Sequence, residues 1–530
     1  VGRFATLGDM MRHNASVRPH AIALSFEGRL TTYDELERHA NQVANGLHAL
    51  AVRPGQHVVY LGKNSDLYFE LFLGAAKAGA IMTPINWRLA LPEVAYIIED
   101  CKAPVLFVGP EFTAVAEKLA KDIACIRDVI TMESDVPGWQ AFTRWRDRQS
   151  DAQPLLGIQR DDTAIQLYTS GTTGRPKGAM IRHRNLLDML DAIKDAPGVE
   201  WNRWTPEDVS LVATPVGHIG GSGWGITTFY HGAKAVVARE FDPSRILDYI
   251  EKERVSKFAL VPSAIQFMIR DPRAKTTDFS CLKHLLYGSA PMPAELLREG
   301  MEVIGCGFVQ VYGMTETGGA VVALPPEDHT LPATPKMMSA GRALPGVEAA
   351  IFDSTGRRLP PGEIGEIAIR SVANMSGYWN LPDATTATID AEGWLRTGDA
   401  GVMDEDGYLY IRNRVKDMII TGGENVYPAE VENAIYGHPH VADVAVIGLP
   451  DEKWGEAVTA VIVAKPGAVP DAADIAGFAR TRIAGFKTPK RVEFVAELPR
   501  NAAGKVLRRE LRARFATAGA DVPRNLSRPR

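Results

Sequence analysis

The sequence predicts an α/β protein: a large N-terminal domain of layered, mostly parallel sheets and helices, followed by a small α+β domain. Three observations carry this expectation. Short apolar runs alternate with helical stretches through the N-terminal part of the chain, the rhythm of parallel strands joined by crossover helices. After Arg370 that rhythm gives way to short strands separated by Gly and Asp turns. The chain also has 530 residues, more than one hydrophobic core usually serves, so at least two domains are expected.

The elements follow in order. Thr32-Tyr33-Asp34-Glu35-Leu36 reads as a helix start, with Thr32 as the cap, Glu35 three residues on, and apolar residues continuing through Leu50. After Arg53-Pro54-Gly55, the run Val58-Val59-Tyr60-Leu61 reads as a buried strand. Leu67 to Ala80 reads as a helix ending at glycine, and Ile81-Met82-Thr83-Pro84 and Val105-Leu106-Phe107-Val108 are strand-like. Gly407 to Ile411 is one of the later strands. A charged stretch, Arg412 to Asp417, then precedes a segment with its own small core: a helix from Pro428 to Tyr436, strands from Val441 to Ile447 and Val458 to Ala464, a helix from Ala472 to Ile483 and a strand from Arg491 to Val495. That segment has the size of an ordinary small domain. The boundary is placed at Arg414 to Lys416, giving domains 1–414 and 415–530, and the Pro-, Arg-, Ala- and Gly-rich tail after Phe515 is expected to be mobile.

Composition excludes more than it assigns. With 45% apolar and 23% charged residues the chain is neither disordered nor fibrous. Its 59 basic and 64 acidic side chains give a formal charge of −5, which offers no electrostatic reason for a nucleic-acid partner. The cysteines Cys101, Cys125, Cys281 and Cys306 have no metal-ligand spacing and read as reduced, packed thiols. No apolar run is long enough to span a bilayer. Because the chain starts at Val1 without an initiator Met, its true N-terminus is taken to lie upstream.

The strongest chemical signal is Leu167-Tyr168-Thr169-Ser170-Gly171-Thr172-Thr173-Gly174-Arg175-Pro176-Lys177-Gly178. Hydroxyl and glycine residues after an apolar strand make a loop rich in N–H and O–H donors, and Lys177 adds a positive charge, a combination suited to polyphosphate. It is not a Walker A loop, because the required Gly-Lys-Ser/Thr spacing is absent and Pro176 precedes the lysine. Glu316, in Tyr312-Gly313-Met314-Thr315-Glu316, is a candidate Mg²⁺ ligand, since Mg²⁺ favours one or two carboxylates plus phosphate oxygens. Asp399, in Thr397-Gly398-Asp399, is an acceptor able to hold two hydroxyls at once.

Together these strings resemble the adenylate-forming superfamily, which includes acyl-CoA synthetases, aryl-CoA ligases, firefly-type luciferases and the adenylation domains of peptide synthetases. The likeness runs through the phosphate loop, Tyr312 to Glu316, Thr397-Gly398-Asp399, Arg414-Val415-Lys416-Asp417 with Gly422-Gly423-Glu424-Asn425, and Pro499-Arg500-Asn501-Ala502-Ala503-Gly504-Lys505. The resemblance implies an enzyme that uses ATP and Mg²⁺ to join a carboxylic acid to AMP and then passes the acyl group to coenzyme A. It implies that Thr169, Ser170, Gly171, Thr172, Thr173, Gly174 and Lys177 wrap the phosphates, and that Thr315 donates to the α-phosphate. Gly288-Ser289-Ala290 and Tyr312 would hold the adenine, Asp399 and Arg414 the ribose. Lys505 would bridge the carboxylate and the α-phosphate. Lys416 would be a hinge whose movement withdraws Lys505 and brings Gly422, Gly423 and Glu424 to the thiol channel.

The resemblance places the acyl pocket around His218, Ile219, Gly220, Gly221, Gly313 and Met314. Relatives acting on two- and three-carbon acids carry Trp where Gly313 stands, so Gly313 is expected to leave room for a longer or ring-bearing tail. Amino-acid-activating relatives carry an Asp where an ungapped count places Ile219, so no ammonium partner is available. The expected substrate is a medium- or long-chain fatty acid, with an aryl or polycyclic acid as the alternative and a non-catalytic nucleotide binder as a third reading. His218 either gates the pocket, contacts the carboxylate, or is simply packed. With no carrier domain following, the acceptor is expected to be diffusible coenzyme A. A cytoplasmic enzyme is expected, with peripheral membrane contact and a homodimer left open.

Overall fold

A computed structural model describes residues 2–169, 175–332, 334–414, 417–421, 424–451, 453–501 and 504–516. The expected loop residues Ser170, Gly171, Thr172, Thr173 and Gly174, the hinge Lys416, the turn residues Gly422 and Gly423, and the tail after Ala516 lie outside these residues. Cα packing divides the chain into two compact units. One comprises Val1–Ser289, Gly300–Ala349 and Ala368–Arg396; the other comprises Ala290–Glu299, Ala350–Ile367 and Thr397–Arg530.

The first unit is built on two large sheets. In the seven-stranded sheet the order is Gln140–Ala141, Asp128–Thr131, Val105–Val108, His57–Leu61, Ile81–Ile85, Thr163–Thr169 and Lys177–Arg182. All its neighbours are parallel except the last pair. The nine-stranded sheet likewise has a parallel interior, in which Val209–Val212, Lys257–Leu260, His284–Gly288 and Gly307–Met314 lie side by side, and antiparallel edges. This is the architecture expected from the strand–helix rhythm.

Local sequence explains the individual elements. Thr32 caps the Tyr33–Ala49 helix in a capping box: its hydroxyl accepts from the Glu35 N–H at 3.2 Å, while Glu35 accepts from the Thr32 N–H at 2.8 Å. The Asp66–Ala78 helix is buried along its whole length, and the two charged residues after its first turn are both paired, Glu70 with Arg146 and His39 and Lys77 with Glu37. It ends at Gly79, whose φ of 69° is the left-handed cap glycine tolerates best. Arg239 cross-links the two sheets by reaching both Glu27 and Glu133 at 2.7 Å.

In the second unit, a five-stranded sheet holds Ile419–Thr421, Glu424–Val426, Val441–Asp451, Gly455–Ala464 and Arg491–Val495. The Pro428–Tyr436 and Ala472–Arg480 helices pack on it through a core that includes Val431, Ile435, Val446, Ile462 and Ile475. The elements match those expected in type and order. The two central strands are longer than their apolar runs, since they extend into a polar hairpin around Asp451 and Gly455, and the Ala472–Arg480 helix stops short of Ile483. The described cysteines are all free; Cys101 is buried and the other three are half-buried. No helix among the described residues is long and apolar enough to cross a membrane.

Buried histidines make the first unit acid-sensitive. His183 is enclosed, its Nδ1 accepts the Leu7 N–H at 3.2 Å, and burial pushes it down to about 4. Between pH 6.5 and 4 the unfolded chain therefore binds a proton that the folded chain refuses, so stability falls as pH drops through this window. His183 alone contributes a slope of about 1.4 kcal/mol per pH unit. The urea midpoint is expected to fall steadily from pH 7 to 4.5, and His183→Gln to flatten that fall.

Candidate active site

The first unit gathers its candidate residues at the C-terminal ends of parallel strands, where ligands of open α/β sheets bind. Thr169 ends the Thr163–Thr169 strand, and the antiparallel register sets Lys177 opposite it. The two residues thus flank the segment expected to wrap the phosphates. The strand is anchored by a buried polar chain. His57 Nε2 lies 3.0 Å from Gln166 Oε1, Gln166 donates to the Tyr168 hydroxyl at 3.1 Å, and that hydroxyl donates to Asp100 at 2.5 Å.

The Gly307–Met314 strand delivers Tyr312, Gly313 and Met314 and then tightens into a 3₁₀ turn, Thr315–Thr317. Thr317 holds that turn, accepting the Met314 N–H at 2.9 Å and donating to the Gly319 carbonyl at 2.8 Å. Glu316 is buried; its Oε1 accepts from the Tyr378 hydroxyl at 2.8 Å and from Thr169 Oγ1 at 3.3 Å. Its Oε2 bonds no side chain among the described residues. A carboxylate with one oxygen held and the other free suits a Mg²⁺ bound through oxygen ligands.

Tyr378 is a site residue that no sequence motif pointed to. It belongs to the segment 375–379, which lies along the Lys177–Arg182 strand: Met180 donates to Gly377, Ser376 to Met180, and Trp379 to Gly178. Lys177 Nζ sits 4.4 Å from the Tyr378 ring centroid. Trp379 donates to the Asp100 carbonyl at 3.2 Å, joining the segment to the chain of bonds beneath Tyr168. Only the fold makes neighbours of residues so far apart in sequence.

Gly288 ends its strand where a Cβ would run into the Val311 carbonyl. Ser289 then turns at φ 66°, a left-handed conformation uncommon for a residue with a side chain and often found at functional sites. Ala290 follows it in sequence.

His218 precedes the Ile219–Tyr230 helix. The ring is half-buried, and its Nε2 is enclosed without a hydrogen-bond partner among the described residues. Burial, with Arg88 as a lesser cause, pushes it down to about 4, so it is neutral at pH 7. Ile219 leads the helix, within contact distance of a Cβ placed at Gly319. Gly220 is exposed, whereas Gly221 is buried. At Gly313 an added Cβ would run into the Gly319 carbonyl. This close approach of two backbones at a register shift is a structural reason for glycine there.

The second unit carries the rest. Asp399 is buried, its N–H bonded to Thr397 Oγ1 at 3.1 Å, and Thr397 in turn donates to the Ile367 carbonyl at 2.7 Å. The antiparallel register pairs Asp399 with Arg414, whose side chain lies outside the described residues. Lys505 is half-buried on a turn in which Asn501 N–H donates to the Lys505 carbonyl at 2.8 Å and Lys505 N–H to Asn501 Oδ1 at 2.8 Å. Arg500 braces the turn through Asp443 at 2.6 Å. Glu424 is exposed at the start of its strand.

Tyr378→Phe is expected to leave the fold intact but loosen the Glu316 carboxylate. The Mg²⁺ concentration for half-maximal pyrophosphate release should then change several-fold, as a titration of turnover against Mg²⁺ would show. An unchanged titration would separate Glu316 from the metal.

Known proteins provide an independent comparison. The profile of the AMP-binding enzyme family matches residues 11–379, and that of the AMP-binding enzyme C-terminal domain matches residues 430–505. Fatty acid–[acyl-carrier-protein] ligase ScoC of Streptomyces coeruleorubidus is 42% identical over 96% of this chain and 96% of its own. A feruloyl-CoA synthase of an Amycolatopsis species is 39% identical over 96% of this chain and 99% of its own. Among solved structures, the anthranilate CoA ligase AuaEII in complex with anthranoyl-AMP superposes with a TM-score of 0.90 at 30% identity, covering 98% of this chain and 99% of that one. The chain belongs to the AMP-binding, adenylate-forming family of acid ligases.

Proposed function

We propose that this enzyme ligates a carboxylic acid with an uncharged, apolar tail to the thiol of coenzyme A through an acyl-adenylate, releasing pyrophosphate and then AMP. The observation that carries the reading is the cluster of Thr169, Lys177 and the Tyr378-held Glu316 at the strand ends. In the first step a carboxylate oxygen bonds to the α-phosphorus as the bond to pyrophosphate breaks. In the second, the thiol loses its proton, its sulfur bonds to the acyl carbon, and the acyl carbon–oxygen bond breaks to release AMP.

Bringing a carboxylate to a polyphosphate sets anion against anion, so fixed positive charge and donors must be in place beforehand. Lys177 and Thr169 at the loop neck, with Thr315 in its tight turn, supply part of that array. Lys505 supplies the charge between carboxylate and α-phosphate. Asp399, beside Arg414 in the sheet register, accepts the ribose hydroxyls, and Gly288-Ser289-Ala290 with Tyr312 form the adenine platform. Glu316 would hold Mg²⁺, which lowers the charge on the phosphates. Neutral His218 brings no charge to the acyl carboxylate, so its part is to shape the pocket mouth or to share one hydrogen bond. We assign the hinge to Lys416 and the approach of the thiol to Gly422, Gly423 and Glu424.

For the acceptor, the second unit offers a platform. Trp454 and Phe486 are 37% and 40% exposed, and Lys453 and Lys490 stand 4.6 and 5.9 Å from the Trp454 ring. Exposed aromatic faces beside cations suit a purine ring and its phosphates. They suit coenzyme A better than a bare pantetheine arm. A carrier-protein acceptor is the second reading, favoured by the name of the 42% identical relative. For the acid, the sequence favours a medium- or long-chain fatty acid, with an aryl or polycyclic acid as the alternative.

Pyrophosphate release with ATP and Mg²⁺, across fatty, aryl and polycyclic acids, tests the reading. Release that speeds up with coenzyme A supports it, whereas ATP binding without release for any acid would mean a non-catalytic binder. Lys505→Ala should lower adenylation by roughly a hundredfold or more while sparing thioester formation from supplied acyl-adenylate. Equal losses in the two half-reactions would contradict the assigned role of Lys505.

A further inference from the structure

Asp100 stands where two supports of the candidate site meet. It is the penultimate residue of the Leu91–Cys101 helix and is half-buried. Its carboxylate accepts the Tyr168 hydroxyl at 2.5 Å, and its backbone carbonyl accepts the Trp379 indole N–H at 3.2 Å. Each donor is the chain neighbour of a residue that holds Glu316. Tyr168 precedes Thr169 and Trp379 follows Tyr378, and it is Thr169 and Tyr378 that donate to Glu316 Oε1.

Neighbouring residues of an extended chain point to opposite faces. Tyr168 and Thr169 both lie in the Thr163–Thr169 strand, which pairs with Lys177–Arg182, and Tyr378 bridges to Ala179 of the latter. One face of this strip therefore carries the two donors to Asp100, and the other face carries the two donors to Glu316. The strip is braced across its width. Tyr168 lies opposite Gly178, whose carbonyl accepts the Trp379 N–H at 2.8 Å. A Cβ at Gly178 would strike the side chain of Gln166, the residue that donates to the Tyr168 hydroxyl. His57 closes the circuit, with its ring 4.5 Å from Trp379 and its Nε2 3.0 Å from Gln166. The far end of the segment expected to wrap the phosphates bears on the same helix. The Arg175 guanidinium lies 5.5 Å from the ring centroid of Tyr96, which is four residues before Asp100 and so on the same helix face. A hydroxyl that donates to a carboxylate at so short a distance makes a charge-assisted bond, stronger than a neutral one.

Resting on the ligase reading above, we infer that Asp100 is a positioning residue for the adenylation step: it fixes Tyr168 and Trp379, and through their chain neighbours it sets where the Glu316 carboxylate stands. It touches no reacting atom itself. The second step begins from an acyl-adenylate that has already lost pyrophosphate, so it draws little on this frame.

The test compares the two half-reactions in the full-length enzyme and in Asp100→Ala, Asp100→Asn and Tyr168→Phe. Pyrophosphate release is followed with ATP, Mg²⁺ and whichever acid of a fatty, aryl and polycyclic panel the unaltered enzyme uses fastest. Thioester formation is followed from the supplied adenylate of that acid and coenzyme A. Because a small misplacement in a site is costly, Asp100→Ala should lower pyrophosphate release by about tenfold to a hundredfold while thioester formation changes by less than about twofold. The tightening of ATP binding by Mg²⁺, read by calorimetry without acid, should shrink several-fold in the same variant. Asparagine keeps an oxygen acceptor but not the charge, so Asp100→Asn should recover part of both losses. Tyr168→Phe removes the donor and leaves the helix untouched; it should reproduce the alanine effect, and it carries the test if the alanine variant does not fold. Equal losses in the two half-reactions would make Asp100 an ordinary support of the fold and overturn the inference, as would adenylation that neither Asp100→Ala nor Tyr168→Phe moves. Silence of the unaltered enzyme with the whole panel would instead overturn the ligase reading.

Discussion

The hydrogen bond from the Tyr378 hydroxyl to the Glu316 carboxylate is the point on which the candidate site turns. Glu316 is buried, and a buried carboxylate is costly unless it is bonded. Tyr378 satisfies one oxygen at 2.8 Å, Thr169 adds a weaker bond to the same atom, and the other oxygen bonds no side chain among the described residues. Together the two bonds join three distant stretches of chain: the strand that ends at Thr169, the turn after Met314, and the segment 375–379. Because that segment is also hydrogen-bonded along the Lys177–Arg182 strand, both ends of the loop and the acidic residue are set in one frame. Preorganisation of this kind lets a site oppose like charges without rearranging at the moment of reaction.

Charge is rationed in the layers beneath and around that frame. His57, His183, His218, His231 and His284 are all pushed below the ordinary histidine range, with burial the leading cause in each. Imidazoles that stay neutral at pH 7 can order neighbouring groups without adding charge. Lys257 shows the opposite economy. Burial pushes it down to about 8, Asp208 partly offsets that, and the remaining cation is spent on holding an indole in place.

Much of this was legible in the sequence, for reasons that differ between elements. The Thr32–Glu35 capping box is local chemistry and appears in the structure as read. The α+β segment after Asp417 has apolar runs separated by clear turns, and its elements emerge in type and order. The loop neck, the Thr315–Glu316 turn, Asp399 and Arg414 could be singled out because each lies in a short contiguous string, Asp399 and Arg414 in two different ones. Tyr378 was not found, because its meaning depends on a strand pairing that brings residue 378 beside residue 179. Gly313 was noticed for a reason different from the one the backbone supplies.

That glycine has an implication for which residues position 313 can hold. A residue with a side chain at 313 cannot enter without displacing the Gly319 strand, and two edge strands would have to shift with it. A change of residue at this position would therefore be coupled to the stability of the sheet. Residue choice at 313 is thus fixed by how closely two backbones approach, before any ligand is considered.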